Sequence, residues 1–299
     1  SKDGFMIISK LGSHVEVADP GVTNTYIGTA STLISDGING AGTSSADAST
    51  GTVIAYSEGT WDQAQHQLGS NAAYLTANDS RASGSTAAAL QGKESQIDIY
   101  APVVLASKEG IAYMGDNKGI VNAKGASTTA VNNGSIIGFA RNGGTVNIDG
   151  TAIAKDANVT NNTLKYQNIA GLATLDTAAL PGASAGGTVN IAGAVDIHGM
   201  GGLASGTGSV VNLNNTGNQI RTGSSGALAA VDGGKVNFAG GTITHAENVA
   251  GDHDSSAPMY ADSSSGIYFT GATTIDMSHG ILMPGTASDY AASASGTTR

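Results

Sequence analysis

Gly144-Thr145-Val146-Asn147-Ile148 decides how this chain is read, because the phrase returns. Gly119-Ile120-Val121-Asn122-Ala123 precedes it, Gly187-Thr188-Val189-Asn190-Ile191 and Gly234-Lys235-Val236-Asn237-Phe238 follow, and Ser209-Val210-Val211-Asn212-Leu213 is a near copy. The valines stand at 121, 146, 189, 211 and 236, in steps of 25, 43, 22 and 25 residues. With 43 read as two turns, the period of 22 to 25 falls within the range of solenoid repeats. Strand-like pieces lie upstream of the phrase (Ile111-Ala112-Tyr113-Met114, Ile136-Ile137-Gly138-Phe139, Gly226-Ala227-Leu228-Ala229). Others lie downstream, as in Thr151-Ala152-Ile153-Ala154, Ala194-Val195-Asp196-Ile197 and Thr242-Ile243-Thr244. Each turn thus offers two or three short strands separated by Gly or Asn-Gly turns. Val and Ile alternate with polar residues, so one face points inward and the other to water. Stacked at ~4.8 Å, the inward faces form a continuous aliphatic column that no single turn could bury alone. The expectation is an all-β chain: a right-handed parallel β-helix, or solenoid, of roughly nine to eleven turns, with loop and helical excursions. The leucine and asparagine consensus of leucine-rich repeats is missing, and a propeller blade would need about 40 residues.

Composition agrees with a narrow interior. The 299 residues include 44 glycines, 5 prolines, 5% aromatics and 12% charged residues. A thick globular core would be short of large side chains, whereas stacked small aliphatics suffice for a repetitive β structure. The 40% apolar content and the recurring Val/Ile runs argue against disorder of the whole chain. A formal net charge of −10 disfavours nucleic acid and anionic lipid as partners. The absence of cysteine excludes disulfides, thiol nucleophiles and cysteine-based zinc sites. The apolar run over 101–106 is far shorter than the roughly 20 residues of a membrane span, so no membrane insertion is expected of this segment. Ser1-Lys2-Asp3-Gly4 does not read as a signal peptide and no cap is visible near Arg299. A piece of a longer chain is therefore expected.

Along the chain, residues 1–35 read as the first rungs. Residues 36–95 read as an irregular excursion with short helices over 61–68 and 70–77 and some rung strands. Residues 96–299 read as regular β-helix with smaller excursions near 155–185 and 247–265.

Several residues could carry chemistry. The repeated asparagines 122, 147, 190, 212 and 237 stand outside by alternation, where stacked amides stabilise a coil or an outward row meets sugar hydroxyls; packing is the favoured reading. Asp98, Asp149, Asp196 and Asp276 are each embedded in or beside a strand. Glycoside hydrolysis needs two carboxyls facing one bond, and their dispersal gives no such pair. Asp252, His253 and Asp254 form the densest polar cluster and are the candidate metal ligands, weighed against a solvated loop. The histidines 14, 66, 198, 245 and 279 show no ligand spacing. Trp61, Tyr56 and Tyr74 sit in or beside the long excursion and are the candidate partner-binding anchors, although such a segment also needs aromatics for its own core. No nucleophile elbow, phosphate loop or dinucleotide fingerprint is present, so no cofactor is expected.

The Gly-rich, cysteine-free sequence with its Gly-x-Val-Asn-apolar repeats resembles the passenger domains of bacterial type V autotransporters. The stretch from Gly266-Ile267-Tyr268-Phe269 to Met283-Pro284-Gly285 looks most like the very large fusobacterial-type adhesins. The resemblance covers about residues 96–299 and its motifs are architectural. It implies export through the outer membrane to the cell surface, a β-helical stalk, and adhesion without catalysis to a host-cell or bacterial surface protein or glycan. It supplies no binding residue to carry over. A polysaccharide-degrading β-helix enzyme and a secreted β-helical toxin segment are the alternatives. The enzyme would require an acidic cluster with Arg141 or Arg221 beside it.

Overall fold

The computed structural model describes residues 4–10, 14–17, 33–35, 52–58, 95–105, 110–130, 134–155, 168–177, 183–222, 226–245 and 259–276. All regular structure among them is β, and every strand pairing is parallel. No helix among the described residues is long and apolar enough to cross a membrane.

The Val-Asn phrase builds an 8-stranded sheet, ladder II. Its strands are β2 (His14–Val17), β5 (Gln96–Ile99), β8 (Ile120–Ala123), β11 (Thr145–Ile148), β14 (Thr188–Ile191), β16 (Val210–Leu213), β19 (Lys235–Phe238) and β22 (Gly266–Phe269). The upstream pieces form ladder I: β1 (Gly4–Lys10), β4 (Thr52–Glu58), β7 (Ile111–Asp116), β10 (Ile136–Arg141), β13 (Asn168–Thr174), the second half of β15 (Val195–Ser205), β18 (Leu228–Val231) and β21 (Met259–Ala261). The downstream pieces form ladder III: β3 (Leu33–Ser35), β6 (Val103–Leu105), β9 (Ser127–Ala130), β12 (Thr151–Ala154), the first half of β15, β17 (Asn218–Thr222), β20 (Gly241–His245) and β23 (Thr273–Asp276). The chain visits I, II and III in the same order throughout. Because β15 belongs to both I and III, those two ladders merge into one 15-stranded sheet.

One reading of the spacing is corrected. Val146 pairs directly with Val189, so the 43-residue step is one turn and not two. The extra length lies in the connections on either side of β13, which itself falls inside the 155–185 stretch expected as an excursion. Ladder II accordingly has 8 strands among the described residues, fewer than the nine to eleven turns expected.

The motif glycines permit this stacking. A Cβ on Gly144 would stand 2.2 Å from the carbonyl oxygen of Gly115, and one on Gly187 would stand 2.2 Å from that of Ala140. Successive turns therefore touch backbone to backbone at the entry to ladder II, where no other residue fits. Just before it, Asn142 (φ 53) and Gly143 (φ 79) make a tight turn closed by Gly144 N donating to Arg141 O at 2.9 Å. Asp232-Gly233 repeats the geometry, as the Asn-Gly and Asp-Gly signals of such turns require.

The interior is thin. Val121, Val146, Val189, Val211 and Val236 stack in register on ladder II and are fully buried. Opposite them, Tyr113 of ladder I is in register with Gly138, Gly171 and Gly202. A Cβ on Gly171 would meet Val211 Cγ1 at 2.8 Å, so the glycine row presses the backbone of ladder I onto the valine column. Each buried Val or Ile contributes about 1.5–3 kcal/mol, which lets a core without large aromatics hold. Tyr113 and Phe238 are the exceptions among the described residues, and the buried Tyr113 hydroxyl shares a 2.7 Å hydrogen bond with Thr128 Oγ1.

The same glycines break strict alternation on ladder I. In Ile136-Ile137-Gly138-Phe139-Ala140, Ile137 and Ala140 are fully buried, while Ile136 and Phe139 keep partial exposure. Two outward rows of ladder I are consequently apolar. One contains Val53, Ile111, Ile136, Ile169 and Met200, and the other Tyr56, Met114, Phe139, Leu172, Leu203 and Ala229.

Candidate functional site: an amide ladder ending on a carboxylate

Strict alternation on ladder II places each Asn between two inward apolar residues, and the register brings all five asparagines into one row. Their side chains bond one to the next. Nδ2 of Asn237 donates to Oδ1 of Asn212 at 2.6 Å, Asn212 to Asn190 at 2.6 Å, Asn190 to Asn147 at 2.7 Å and Asn147 to Asn122 at 2.7 Å. Asn122 then donates to Asp98 Oδ1 at 2.6 Å. All the amides point the same way, so their dipoles add and the bonds strengthen one another. The donor end of the chain of dipoles faces a carboxylate, the charge it stabilises best. Each amide keeps a second hydrogen and a second lone pair free of the ladder, so a hydroxyl-rich ligand could still be met from outside.

Asp98, the ladder's anchor, is 4% exposed and gathers further donors. Gln96 Nε2 lies 3.0 Å from both carboxylate oxygens, His14 Nε2 3.0 Å from Oδ2, and Lys124 Nζ 3.2 Å from Oδ2. Burial pushes its pKa up. The hydrogen bonds from Asn122, Gln96, His14 and Lys124 outweigh that and bring it down to about 2. His14, Glu16 and Asp98 offer ligand atoms within 4.8 Å of one another, a geometry able to hold a cation. Lys124 already supplies the cation there, its ammonium lying over the Tyr100 ring at 4.8 Å. The spacing of His14 gave no sign of this site, because 84 residues separate it from Asp98.

A second polar cluster stands where ladder I turns into ladder II. Glu58, Asp116 and Arg141 are consecutive in register on β4, β7 and β10. Arg141 grips Asp116 through Nε (3.2 Å) and Nη2 (2.5 Å) and reaches Asp176 through Nη1 (3.4 Å). Glu58 and Asp116 are 4% and 6% exposed. Tyr56, one of the candidate anchors, belongs to this cluster. It stands on β4, is 8% exposed, and its hydroxyl donates to Glu58 Oε2 at 3.1 Å. Burial, and then the carboxylates Glu58 and Asp116, push its pKa far above the ordinary tyrosine value. Trp61, Tyr74, Asp252, His253 and Asp254 lie outside the described residues.

The dispersed aspartates stay dispersed. Asp98 is on β5, Asp149 follows β11, Asp196 on β15 pairs with Lys155, and Asp276 is on β23. Asparagines that spacing did not single out carry structure: Asn168 and Asn218, both buried, accept from the backbone N–H of Ser135 and Val195 at 3.0 Å each.

Comparison with family models, curated protein sequences and solved structures returned no match.

Proposed function

We propose that the chain is a stretch of right-handed parallel β-helix serving as a stalk segment of a bacterial cell-surface adhesin. It is exported in the manner of an autotransporter passenger and acts without catalysis. The observation that supports this most is the unbroken, in-register row of five asparagines bonded to one another and anchored on Asp98. Such a row fixes register along the stack and stiffens it, as a rod holding contact segments away from a cell surface needs. The partner is a host-cell or bacterial surface protein or glycan, met multivalently. The 36-residue interval 59–94 between β4 and Ser95 is the longest stretch outside the described residues that a strand-to-strand connection spans, and it is the first place to look for the contact.

The test is saturable binding of the labelled chain to cultured host cells, beside a version in which 59–94 is replaced by a short Gly-Ser linker. Residues 52–58 and Ser95 must stay, because β4 pairs with both β1 and β7 and Ser57 Oγ donates to the Ser95 carbonyl at 2.7 Å. Saturable binding lost with the interval supports the reading; no saturable binding by the intact chain overturns the adhesive role.

One observation favours the enzyme reading: Arg141 does stand against the carboxylates Asp116 and Asp176, with Glu58 in the same row. Glu58 and Asp116 are nearly closed to solvent and Asp116 is neutralised by Arg141, which is poor geometry for attacking a glycosidic bond. Turnover of a soluble polysaccharide that disappears in Asp116→Asn would reverse this ranking.

A further inference from the structure

The amide pattern of ladder II breaks at its first rung. Beyond Asn122 and Asp98, the next position of the row in register is Glu16 on β2. Two carboxylates therefore face each other across one strand spacing of ~4.8 Å, an arrangement that repels unless a cation lies between them. Lys124 does not serve both. Its Nζ lies 3.2 Å from Asp98 Oδ2, whereas the only ion-pair partner of Glu16 among the described residues is His14. His14 stands two residues before Glu16 on the same face of β2. Its Nε2 reaches both carboxylates, 3.9 Å from Glu16 Oε1 and 3.0 Å from Asp98 Oδ2. The side chains of His14 and Glu16 are 49% and 44% exposed, so an ion can enter from solvent.

We propose that His14, Glu16 and Asp98 hold a divalent transition-metal ion of the zinc class, which clamps the first rung of ladder II to the second. One ligand atom from each residue already lies within 4.8 Å of the other two. Around a tetrahedral ion with bonds of about 2.1 Å, ligand atoms stand about 3.4 Å apart. The two separations at His14 Nε2, 3.0 Å and 3.9 Å, straddle that value, and the exposed Glu16 side chain is free to close the third. One imidazole nitrogen with two carboxylates suits zinc and its neighbours, whereas calcium and magnesium call for more ligands, all of them oxygen. Asp98 divides its carboxylate between two tasks. Asn122 donates to Oδ1 while Oδ2 faces His14, so a metal on Oδ2 leaves the amide row attached. Asn122 and Gln96 also fix the orientation of that carboxylate, as hydrogen-bonded partners of metal ligands do. On binding, Nε2 gives its lone pair to the metal and the ring keeps its proton on Nδ1. Lys124 competes for Oδ2 and has a place to withdraw to, its ammonium lying 3.1 Å from the Tyr100 hydroxyl and 4.8 Å from the ring centre. Residues 18–95 separate β2 from β5, the longest interval between consecutive strands of ladder II, and a bond across it offsets the entropy of closing that loop.

Isothermal titration calorimetry of the chain, stripped with a chelator and titrated with zinc chloride, tests this. A zinc site of micromolar affinity is expected, and calcium at the same concentration should not fill it. His14→Ala and Glu16→Gln should each weaken that site at least about tenfold. Glu16→Gln keeps the size of the side chain and gives a reading even if His14→Ala fails to fold. Lys124→Met should tighten the site several-fold, because the competing ammonium is gone. His253→Ala should leave it unchanged, which separates it from the Asp252, His253 and Asp254 cluster. Zinc should also slow hydrogen exchange of the β2 amides and leave those of β22, at the other end of ladder II, as they were. No zinc binding in the micromolar range, a site indifferent to His14→Ala and Glu16→Gln, one weakened by Lys124→Met, one filled equally well by calcium, or β2 exchange that zinc does not change would overturn the proposal.

Discussion

Ladders I and II are stacked from the same kind of parallel strand, yet their outer faces are finished in opposite ways. On ladder II each outward Asn is both donor and acceptor for its neighbours, so a slip of one residue would break the amide chain and turn the valine column outward. On ladder I two outward rows are aliphatic and aromatic, with contacts nearly indifferent to register, and the polar row beyond them, Glu58, Asp116 and Arg141, joins Arg141 to Asp116 on the neighbouring strand. The two ladders are joined by the tight turn at Arg141–Gly144 and its counterpart at Val231–Gly234. The amide face is therefore a register-specifying device running from β5 to β19, whereas the apolar rows of ladder I contribute packing.

The comparison can be broken most severely at the entry to ladder II. Gly187→Val places side-chain atoms on the Ala140 carbonyl, and urea unfolding should show a loss of about 3 kcal/mol or more. The matching change on ladder I, Gly171→Ala, meets a side-chain methyl of Val211 that can give way, and should lose about 1–2 kcal/mol. Next in size is the amide row itself. Asn190→Asp removes the donor to Asn147 and sets oxygen against oxygen, for an expected loss of about 2–3 kcal/mol. Leu172→Asn on ladder I should lose about 1 kcal/mol or less in the same assay, being an outward position away from such a network.

Acid should act on ladder II through its anchor. The pKa of Asp98 is lowered in the folded state, so its stabilisation is fully present above the unfolded value near 3.8 and is lost as pH falls towards about 2. The loss should be about 2 kcal/mol across that window, and Asp98→Asn should flatten that part of the stability profile. The smallest effect belongs to Lys124→Met. It removes one of four donors to Asp98 from a partly solvated position and should cost about 0.5 kcal/mol at neutral pH while moving the acid transition slightly upward.

Ladder II was legible because its phrase repeats almost letter for letter and alternation alone places Asn outside. The 43-residue step misled because length was read as turns, when a connection can lengthen without adding a strand to the stack. The apolar outer face of ladder I was hidden for a different reason. Ile137 and Ala140 both point inward across Gly138, which breaks the period-2 pattern that separates inside from outside. Only the first part of β15 was legible, as Ala194-Val195-Asp196-Ile197, because the glycines at 199, 201 and 202 carry no strand signal. Yet Gly199, at φ 142 and with its missing Cβ only 2.1 Å from the Asn168 carbonyl, lets a single strand cross from ladder III to ladder I. The anchor at Asp98 depends on His14 and Lys124 meeting across separate strands, which composition and spacing do not record.

Scalar couplings across hydrogen bonds test the central claim most directly, measured on the side-chain amides of chain labelled with nitrogen-15 and carbon-13. The in-register stack predicts an unbroken series of correlations from Asn237 to Asn212, Asn190, Asn147 and Asn122, with slowed exchange of the bonded amide hydrogens. Side-chain amides that exchange as freely as those of a solvated loop and show no such couplings would contradict the ladder, and with it the register on which the whole account rests.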